Sequence, residues 1–220
     1  MLTIHGFLRP EEVGEINRLM DTADFDDGRS TAHGLAAQAK ANQQVSRACP
    51  AAAALDRIVE AAIRRSRVLV EAVSPCAHSQ PLYARYVHGA AYGPHVDAVM
   101  NGVPPIRQDL SMTIFLTDPA TYEGGGLSLI GAGGERTTVR LTAGAAFTYP
   151  TGIIHEVLPV TQGERRAVVL WLQSFFRDPE IRGIVAELRK CLEAMKGTPG
   201  ADPLPLAKAL NTLERKFIGM

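Results

Sequence analysis

The stretch Tyr83–Asp97, YARYVHGAAYGPHVD, decides the fold because it ends in the tripeptide His95-Val96-Asp97. Residues two apart on an extended strand point to the same side, so one imidazole and one carboxylate face a common point. Such a pair binds a divalent metal only if folding returns a third ligand from a distant strand. His155, within YPTGIIHEVLPV, is the best candidate for that ligand.

Two histidines and one carboxylate, with the remaining positions open, form the facial triad typical of non-haem Fe(II) oxygenases. Ten residues after His155, beyond a predicted turn at Gln162-Gly163, lies Arg165. A planar guanidinium binds a carboxylate in a bidentate fork, so an arginine here suits the far carboxylate of a 2-oxo acid. Arg166 competes for this role, because adjacent residues on a strand point to opposite faces and both faces are apolar. Periodicity does not choose between them.

Each of these residues has an ordinary explanation when it is taken alone. His-x-Asp tripeptides occur on surfaces and in turns, a lone His155 suits a hydrogen-bonded core, and Arg165 suits any hairpin. Three tyrosines, Tyr83, Tyr86 and Tyr92, fit packing in a sandwich with their hydroxyl groups at the rim. Found together, in this order and on a strand-rich chain, the residues favour a metal site. The remaining histidines lack a comparable setting: His5, His33, His78 and His88.

Short apolar segments dominate the second half of the chain and predict strands. Clusters of Gly, Pro, Asp or Thr separate them, which is typical of an antiparallel sandwich or jelly roll rather than of βαβ units. The segments are Asp109–Leu116, Leu127–Ile130, Thr137–Leu141, Ala145–Tyr149, Ile154–Val160 and Arg165–Phe175. Upstream, we predict a polar loop at Asp24–Thr31, an alanine-rich helix over Pro50–Arg67, and strands at Val68–Val70 and Leu82–Val87.

Helical periodicity returns at the C-terminal end, from Asp178 onward and again from Leu206. We therefore divide the chain into residues 1–177, with N-terminal helices and a jelly-roll core, and residues 178–220, a helical extension. The extension either covers the sheet or forms a homodimer contact. His33–Val45 has no clear period, and a mobile flap near the site is one interpretation of it.

Composition narrows the classes of function and of partner. The 220 residues favour one domain with appended helices, and 46% hydrophobic content allows a sizeable core. Lys+Arg and Asp+Glu both number 23, so the net charge is zero. Nucleic-acid binding is therefore not expected, because the chain lacks an excess of basic residues. No apolar run is long enough to predict a membrane span. Three scattered cysteines and an N-terminus without a secretory pattern favour a reducing cytoplasm.

Several long segments resemble the bacterial PKHD-type hydroxylases, Fe(II)- and 2-oxoglutarate-dependent dioxygenases related to prolyl 4-hydroxylases. The resemblance covers nearly the whole chain and is most specific around Asp109 and His155. DFDDGRSTAHGLAAQAKANQQV is similar to the family's W-x-DGR-x-T-A…K-x-N-x-Q region, and RYVHGAAYGPHVD to its metal segment. The other similar segments are DLSMTIFLTDPATYEGGGLSL and YPTGIIHEVLPVTQGERRAVVLWLQSFFRD.

The resemblance implies a double-stranded β-helix, a cupin-like jelly roll of eight core strands with flanking helices. It implies metal ligation by His95, Asp97 and His155, and anchoring of 2-oxoglutarate by Arg165 rather than Arg166. Tyr86 falls, after a one-residue shift, near a tyrosine of the co-substrate pocket. The implied reaction consumes O2 and 2-oxoglutarate, releases succinate and CO2, and hydroxylates an unactivated C–H of a small-molecule or peptidyl substrate. Ascorbate is a further expected cofactor.

Two positions depart from the family pattern: Gly126 stands where a Glu is frequent, and Ala98 where an Asn is frequent. Neither is a ligand, so we expect them to affect the choice of substrate rather than the iron. Two alternative functions are a non-catalytic jelly-roll binding module and a cupin-type metal enzyme that does not use 2-oxoglutarate. An intact triad followed by Arg165 disfavours both.

Overall fold

The computed structural model describes residues 1–32, 34–102 and 104–219. Its strands are β1 (Leu2–Ile4), β2 (Phe25–Asp27), β3 (Lys40–Ala41), β4 (Gln43–Val45), β5 (Pro75–His78), β6 (Leu82–Tyr86), β7 (Ala91–His95), β8 (Met100–Asn101), β9 (Ile106–Arg107), β10 (Leu110–Phe115), β11 (Glu123–Gly124), β12 (Leu127–Ile130), β13 (Arg136–Val139), β14 (Ala146–Pro150), β15 (Ile154–Val157), β16 (Val160–Gln162) and β17 (Arg165–Ser174). Its α-helices are α1 (Pro10–Asp21), α2 (Gly34–Gln38), α3 (Ala51–Arg65), α4 (Arg67–Val73), α5 (Pro179–Lys196) and α6 (Leu204–Phe217).

Two antiparallel sheets form the core. The larger sheet has the order β1-β14-β10-β17-β6-β4-β2, with β5 also paired to β17. The smaller sheet has the order β13-β12-β15-β7-β3. Side chains from both sheets, among them Trp171 of β17 and Val157 of β15, line one cavity. This arrangement confirms the predicted jelly roll with flanking helices.

Successive side chains of β17 alternate between its two faces, so one face lines the cavity and the other packs in the core. Arg165, Val169 and Trp171 line the cavity. Val168, Leu170 and Leu172 are fully buried on the opposite face, in a cluster that includes side chains of α1, α3 and α4. The helical layer therefore covers the outside of the larger sheet and leaves its inside free for a site.

The predicted strand at Val68–Val70 is wrong, since these residues belong to α4. The Ser66 side chain accepts a hydrogen bond from the backbone N–H of Leu69 and caps this helix. Leu69 and Val73, four residues apart, are buried, while the side chains between them are more exposed. The spacing of the buried residues is helical, and it outweighs the β propensity of the valines.

Two other predictions change in detail. The predicted loop Asp24–Thr31 contains β2 followed by a 3-10 helix, Gly28–Thr31. The predicted strand Ile154–Val160 is divided between β15 and β16 by Leu158-Pro159. Proline has no backbone N–H to donate to a strand partner, so a continuous pairing ends there.

The C-terminal helices α5 and α6 pack against each other around Phe176, Val185 and Leu210. Arg189 of α5 donates hydrogen bonds to Ser74 (2.6 Å) and to Glu214 of α6 (2.7 Å). These contacts attach the extension to the end of α4. The division at residue 178 and a homodimer through these helices stay predictions. None of the helices among the described residues combines the length and apolar composition that a membrane crossing requires.

Gly124 approaches the backbone of Pro159 closely, and a substitution there tests this contact. Its φ is +71°, and a Cβ there would lie 2.0 Å from the carbonyl oxygen of Pro159. Gly6 has a similar φ of +63° but open space around it. We expect Gly6→Ala to lower the free energy of unfolding by about 1–2 kcal/mol, the cost of a left-handed residue. Gly124→Ala should lower it by more, and urea unfolding that gave equal losses would contradict the close approach.

Candidate metal centre and cavity

His95, Asp97 and His155 converge at one point between the sheets. Strand pairing places His155 of β15 directly opposite His95 of β7. Asp97 follows two residues later, with its Oδ1 3.8 Å from His95 Nε2 and its Oδ2 3.7 Å from His155 Nε2. One potential ligand atom from each residue lies within 4.8 Å of the other two. The structure thus brings together the three residues that the sequence predicted.

Hydrogen bonds fix the orientation of both imidazoles. His95 Nδ1 lies 2.8 Å from the carbonyl oxygen of Gly93, and His155 Nδ1 lies 2.9 Å from that of Ile153. A carbonyl only accepts, so each Nδ1 carries the proton and each Nε2 keeps its lone pair toward the other ligands. Burial, followed by the neighbouring His155, lowers the pKa of His95 below its ordinary value. The neutral form that metal ligation requires is therefore favoured.

Ser111 orients the carboxylate of Asp97. Its hydroxyl donates a short hydrogen bond to Asp97 Oδ2. Ser111 lies in β10, where it is fully buried and pairs with Tyr149 and Trp171 on the neighbouring strands. The carboxylate is thus fixed by the larger sheet while both imidazoles come from the smaller one. Sequence reasoning missed Ser111, because its side chain meets Asp97 only after the sheets face each other.

Arg165 is the first residue of β17, faces the cavity and is 1% exposed. Its Nε has no hydrogen-bond partner, and within the described chain its guanidinium forms no ion pair. The guanidinium carbon lies 5.1 Å from the centre of the Tyr86 ring and 5.6 Å from that of Phe115. A buried charge without a partner is costly, so an anion is the expected ligand.

Arg166 points to the opposite face of β17. It forms an ion pair of 2.7 Å with Asp21 of α1, a shorter one with Glu164, and a hydrogen bond of 3.1 Å to the carbonyl oxygen of Asn17. Its charge is therefore compensated by the protein. Periodicity left the two arginines in competition and the resemblance implied Arg165. In the structure Arg165 lines the cavity and Arg166 does not.

The three tyrosines of the opening stretch have separate settings. Tyr86 lies opposite Arg165 in the β6–β17 pairing, and burial raises the pKa of its hydroxyl. Tyr92 stacks on His95 with 3.6 Å between ring centres. Tyr83 points into the helical layer and donates a hydrogen bond of 3.1 Å to Asp56. Tyr86 and Tyr92 line the cavity, whereas Tyr83 belongs to the core.

The cavity has a volume of about 310 Å³. The segment without a clear sequence period closes one side of it through Lys40, Asn42 and Gln44, each of them at most 6% exposed. Their spacing is the K-x-N-x-Q pattern of the family resemblance, to which sequence reasoning assigned no role. Mobility of this segment stays a prediction, and His33 lies outside the described residues.

Two of the other histidines, His78 and His88, and both departures from the family pattern are also placed. His88 Nδ1 contacts the carbonyl oxygen of Thr161 (2.8 Å), and His78 Nδ1 that of Ser79 (2.9 Å), both away from the cavity. Ala98 lines the cavity. Gly126 instead packs opposite Thr138 on β13 and is not among the cavity-lining residues. Its expected effect on substrate choice would therefore be indirect.

Comparison with known proteins gives three consistent results. Residues 81–173 match the model of the 2OG-Fe(II) oxygenase superfamily. A PKHD-type hydroxylase of Stenotrophomonas maltophilia is 39% identical over 203 residues, which cover 91% of this chain and 90% of that protein. Among solved structures, a Pseudomonas putida prolyl-4-hydroxylase is 22% identical with a TM-score of 0.51, covering 79% of this chain and 91% of its own.

A second solved structure is a Trichoplax adhaerens prolyl hydroxylase in complex with a peptide fragment of hypoxia inducible factor. It is 17% identical with a TM-score of 0.56, and the match covers 78% of this chain and 82% of that one. At these identities the two solved structures support the fold alone.

Lys40 makes stability depend on pH. Burial lowers its pKa from 10.5 to about 8. The folded protein therefore disfavours the charged lysine below pH 8, and this destabilisation is relieved as the pH rises to 10.5. Without metal, Lys40→Met should be more stable than the original protein at pH 7.5, by an amount that shrinks by roughly 3 kcal/mol on going to pH 10.5. Urea unfolding at both pH values measures this, with the exposed Lys208→Met as control. A pH-independent difference would refute it.

Proposed function

We propose a site assignment for this chain, which belongs to the PKHD-type hydroxylases and is an Fe(II)- and 2-oxoglutarate-dependent dioxygenase. His95, Asp97 and His155 hold the iron, and Arg165 anchors the far carboxylate of 2-oxoglutarate beside Tyr86. The observation that carries the assignment is the pairing of a three-ligand cluster with a buried, unpartnered guanidinium in the same cavity. Family membership decides against the binding-module and cupin-type alternatives.

The residues present fit an iron and a 2-oxo acid. Two neutral imidazoles and one carboxylate suit Fe(II) and leave positions open for other ligands. The bound iron supplies oxidative chemistry in which 2-oxoglutarate and O2 yield succinate, CO2 and a hydroxylated substrate. Arg165 offers several N–H donors in a fixed fork to a planar carboxylate. The unpartnered Nε of Arg165 is satisfied only when such a group is present.

The other side chains position and shield the reactants. Ser111 holds Asp97 in one orientation through its hydrogen bond. The ring of Tyr149 approaches His155 edge-on, with 5.0 Å between ring centres, and limits rotation of that imidazole. Leu127 and Val157 line the cavity and Phe115 lies beside Arg165. All three are buried and would exclude water from a bound co-substrate. Exclusion of water strengthens every electrostatic contact inside the cavity.

The substrate is a small molecule or a peptide. Hydroxylation of an unactivated C–H, assistance by ascorbate, a cytoplasmic location and a homodimer remain parts of the proposal that rest on the sequence. The peptide complex of the Trichoplax adhaerens enzyme supports a peptidyl substrate by fold analogy only.

The assignment of the triad is tested without knowledge of the substrate. Fe(II) and then 2-oxoglutarate are added to the metal-free protein without oxygen, and the visible spectrum is recorded. We expect a weak charge-transfer band that requires both additions, and its loss in Asp97→Ala and His155→Ala. His88→Ala, which removes an imidazole outside the cavity, is the control and should keep the band. A band that persists in both triad variants would show that the iron lies elsewhere.

The two arginines should separate co-substrate binding from stability. Arg165→Met removes the guanidinium that lies over the Tyr86 ring. The 2-oxoglutarate concentration that gives half of the maximal band intensity should therefore rise roughly 10- to 100-fold. Because Arg165 forms no ion pair with the described residues, the variant should be at least as stable to heat as the original protein. Arg166→Met breaks ion pairs with Asp21 and Glu164 and should lower stability while it leaves the 2-oxoglutarate titration unchanged. The reverse pattern would exchange their roles.

A further inference from the structure

Lys40 places a second buried cation beside the proposed iron. It lies in β3, directly opposite Tyr92 of β7, and its ammonium lies 5.0 Å from the centre of the Tyr92 ring. That ring in turn stacks on His95. Lys40 is 6% exposed and lines the same cavity as the triad. The ammonium is thus close to the reactive centre but on a different sheet from Arg165.

The ammonium of Lys40 forms no ion pair with the described residues. Its ammonium has three N–H donors, and the hydrogen bond it makes to described residues is the one to Thr31 Oγ1 (2.8 Å). No carboxylate in the described chain lies within ion-pair distance of it. Asp27, which caps the 3-10 helix, is engaged by Arg29 through both carboxylate oxygens. Burial lowers the pKa of Lys40 to about 8, which leaves it protonated at neutral pH.

The charges of the loaded cavity do not balance without a further anion. Lys40 and Arg165 are the cationic side chains among the described lining residues, and Asp97 is the acidic one. The ion adds two positive charges, and 2-oxoglutarate adds two negative ones. Asp97 and the co-substrate therefore offset the ion and Arg165, and the charge left over is that of Lys40. Charges in a buried site are costly unless they are paired.

The cavity also presents free hydrogen-bonding groups on the side of the larger sheet. Both amide atoms of Gln108, which is 4% exposed, lack a partner, and so does the indole Nε1 of Trp171. Both groups lie away from Arg165, which begins β17. Trp171 is near the other end of β17, and Gln108 directly precedes β10. A ligand that reaches these groups is polar as well as charged.

We propose that Lys40 binds the carboxylate of the primary substrate, and that this substrate is a small monoanionic acid. The inference rests on the proposed function, since it takes Arg165 as the partner of 2-oxoglutarate. A single leftover charge favours a carboxylate over a dianionic phosphate. The volume of about 310 Å³, which also holds the co-substrate, favours a small molecule over a long peptide. Gln108 and Trp171 bind its polar remainder.

N-acetylglycine and its neutral amide, N-acetylglycinamide, test the proposal without the natural substrate. The protein is loaded with Zn(II), which has no redox chemistry, and with saturating 2-oxoglutarate, and binding is followed by saturation-transfer NMR. We expect saturable binding of N-acetylglycine and none of the amide. Lys40→Met and Lys40→Gln should each weaken N-acetylglycine binding about tenfold or more. Arg85→Met, which removes a cation from the surface hollow lined by Asp27, Arg29 and Gln43, should leave N-acetylglycine binding unchanged.

Three results would overturn the proposal. They are no saturable binding of N-acetylglycine to the original protein, equal binding of its amide, and binding to both Lys40 variants within about twofold of the original. A fourth is a loss of 2-oxoglutarate affinity in Lys40→Met as large as in Arg165→Met, because Lys40 would then serve the co-substrate. The charge-transfer band of the original protein is independent of Lys40. Its absence would refute the iron and 2-oxoglutarate assignment, whereas its presence with any of the four results refutes only the role of Lys40.

Discussion

The antiparallel pairing of β7 with β15 is the constraint on which the site depends. His95 lies directly opposite His155, and the next paired residues are Tyr92 and Val157. Between these two pairs β7 contains one residue more than β15. This is a β-bulge, and it contains Gly93 and Pro94. A bulge redirects the side chain that follows it, and the carbonyl oxygen of Gly93 accepts the Nδ1 proton of His95. A slip of one residue would turn His95 to the outer face and separate the two imidazoles.

The larger sheet completes the site because β17 is rigid on its other face. Val168, Leu170 and Leu172 are fully buried against the helical layer, which fixes the strand and therefore Arg165 and Trp171 on the inside. Removal of such side chains from water contributes roughly 2 kcal/mol for each. The same sheet carries Ser111, whose hydrogen bond reaches across to Asp97. The smaller sheet and the residues after β7 thus carry the three ligands, and the larger sheet orients one of them, Asp97.

The sequence predicted what depends on local alternation and missed what depends on contact between distant elements. His95 and Asp97 were found because a spacing of two residues on extended backbone places both side chains on one side, although β7 ends at His95 and Asp97 follows it. The choice of His155 needed only strand-rich surroundings. Val68–Val70 failed because three apolar residues do not distinguish a strand from a helix, and the cap at Ser66 decides it. Periodicity did not separate Arg165 from Arg166, and the family resemblance implied Arg165. The physical difference lies in what each side chain meets, which is the cavity for Arg165 and Asp21 of α1 for Arg166.

Lys40 was missed for a related reason. Its spacing from Asn42 and Gln44 marks one face of an extended segment, but a run of polar residues at that spacing is also typical of an exposed edge. Burial by the 3-10 helix Gly28–Thr31 and by α2 turns the same pattern into a cavity wall. The amide oxygen of Asn42 lies so close to Gly28 that a Cβ there would be 1.8 Å from it, so glycine is required for this closure.

The empty cavity lowers the stability of the folded protein, because its buried charges are not balanced. Two buried cations flank the triad and the described lining contributes one carboxylate to oppose them. A metal ion alone would add positive charge and increase the repulsion, whereas 2-oxoglutarate adds negative charge at Arg165. Ion and co-substrate therefore favour each other's binding, since each compensates the charge of the other. Because these ligands bind the folded chain, their binding free energy adds to its stability. The unpaired cations thus reduce stability in the empty protein and confer selectivity for anions once the site is loaded.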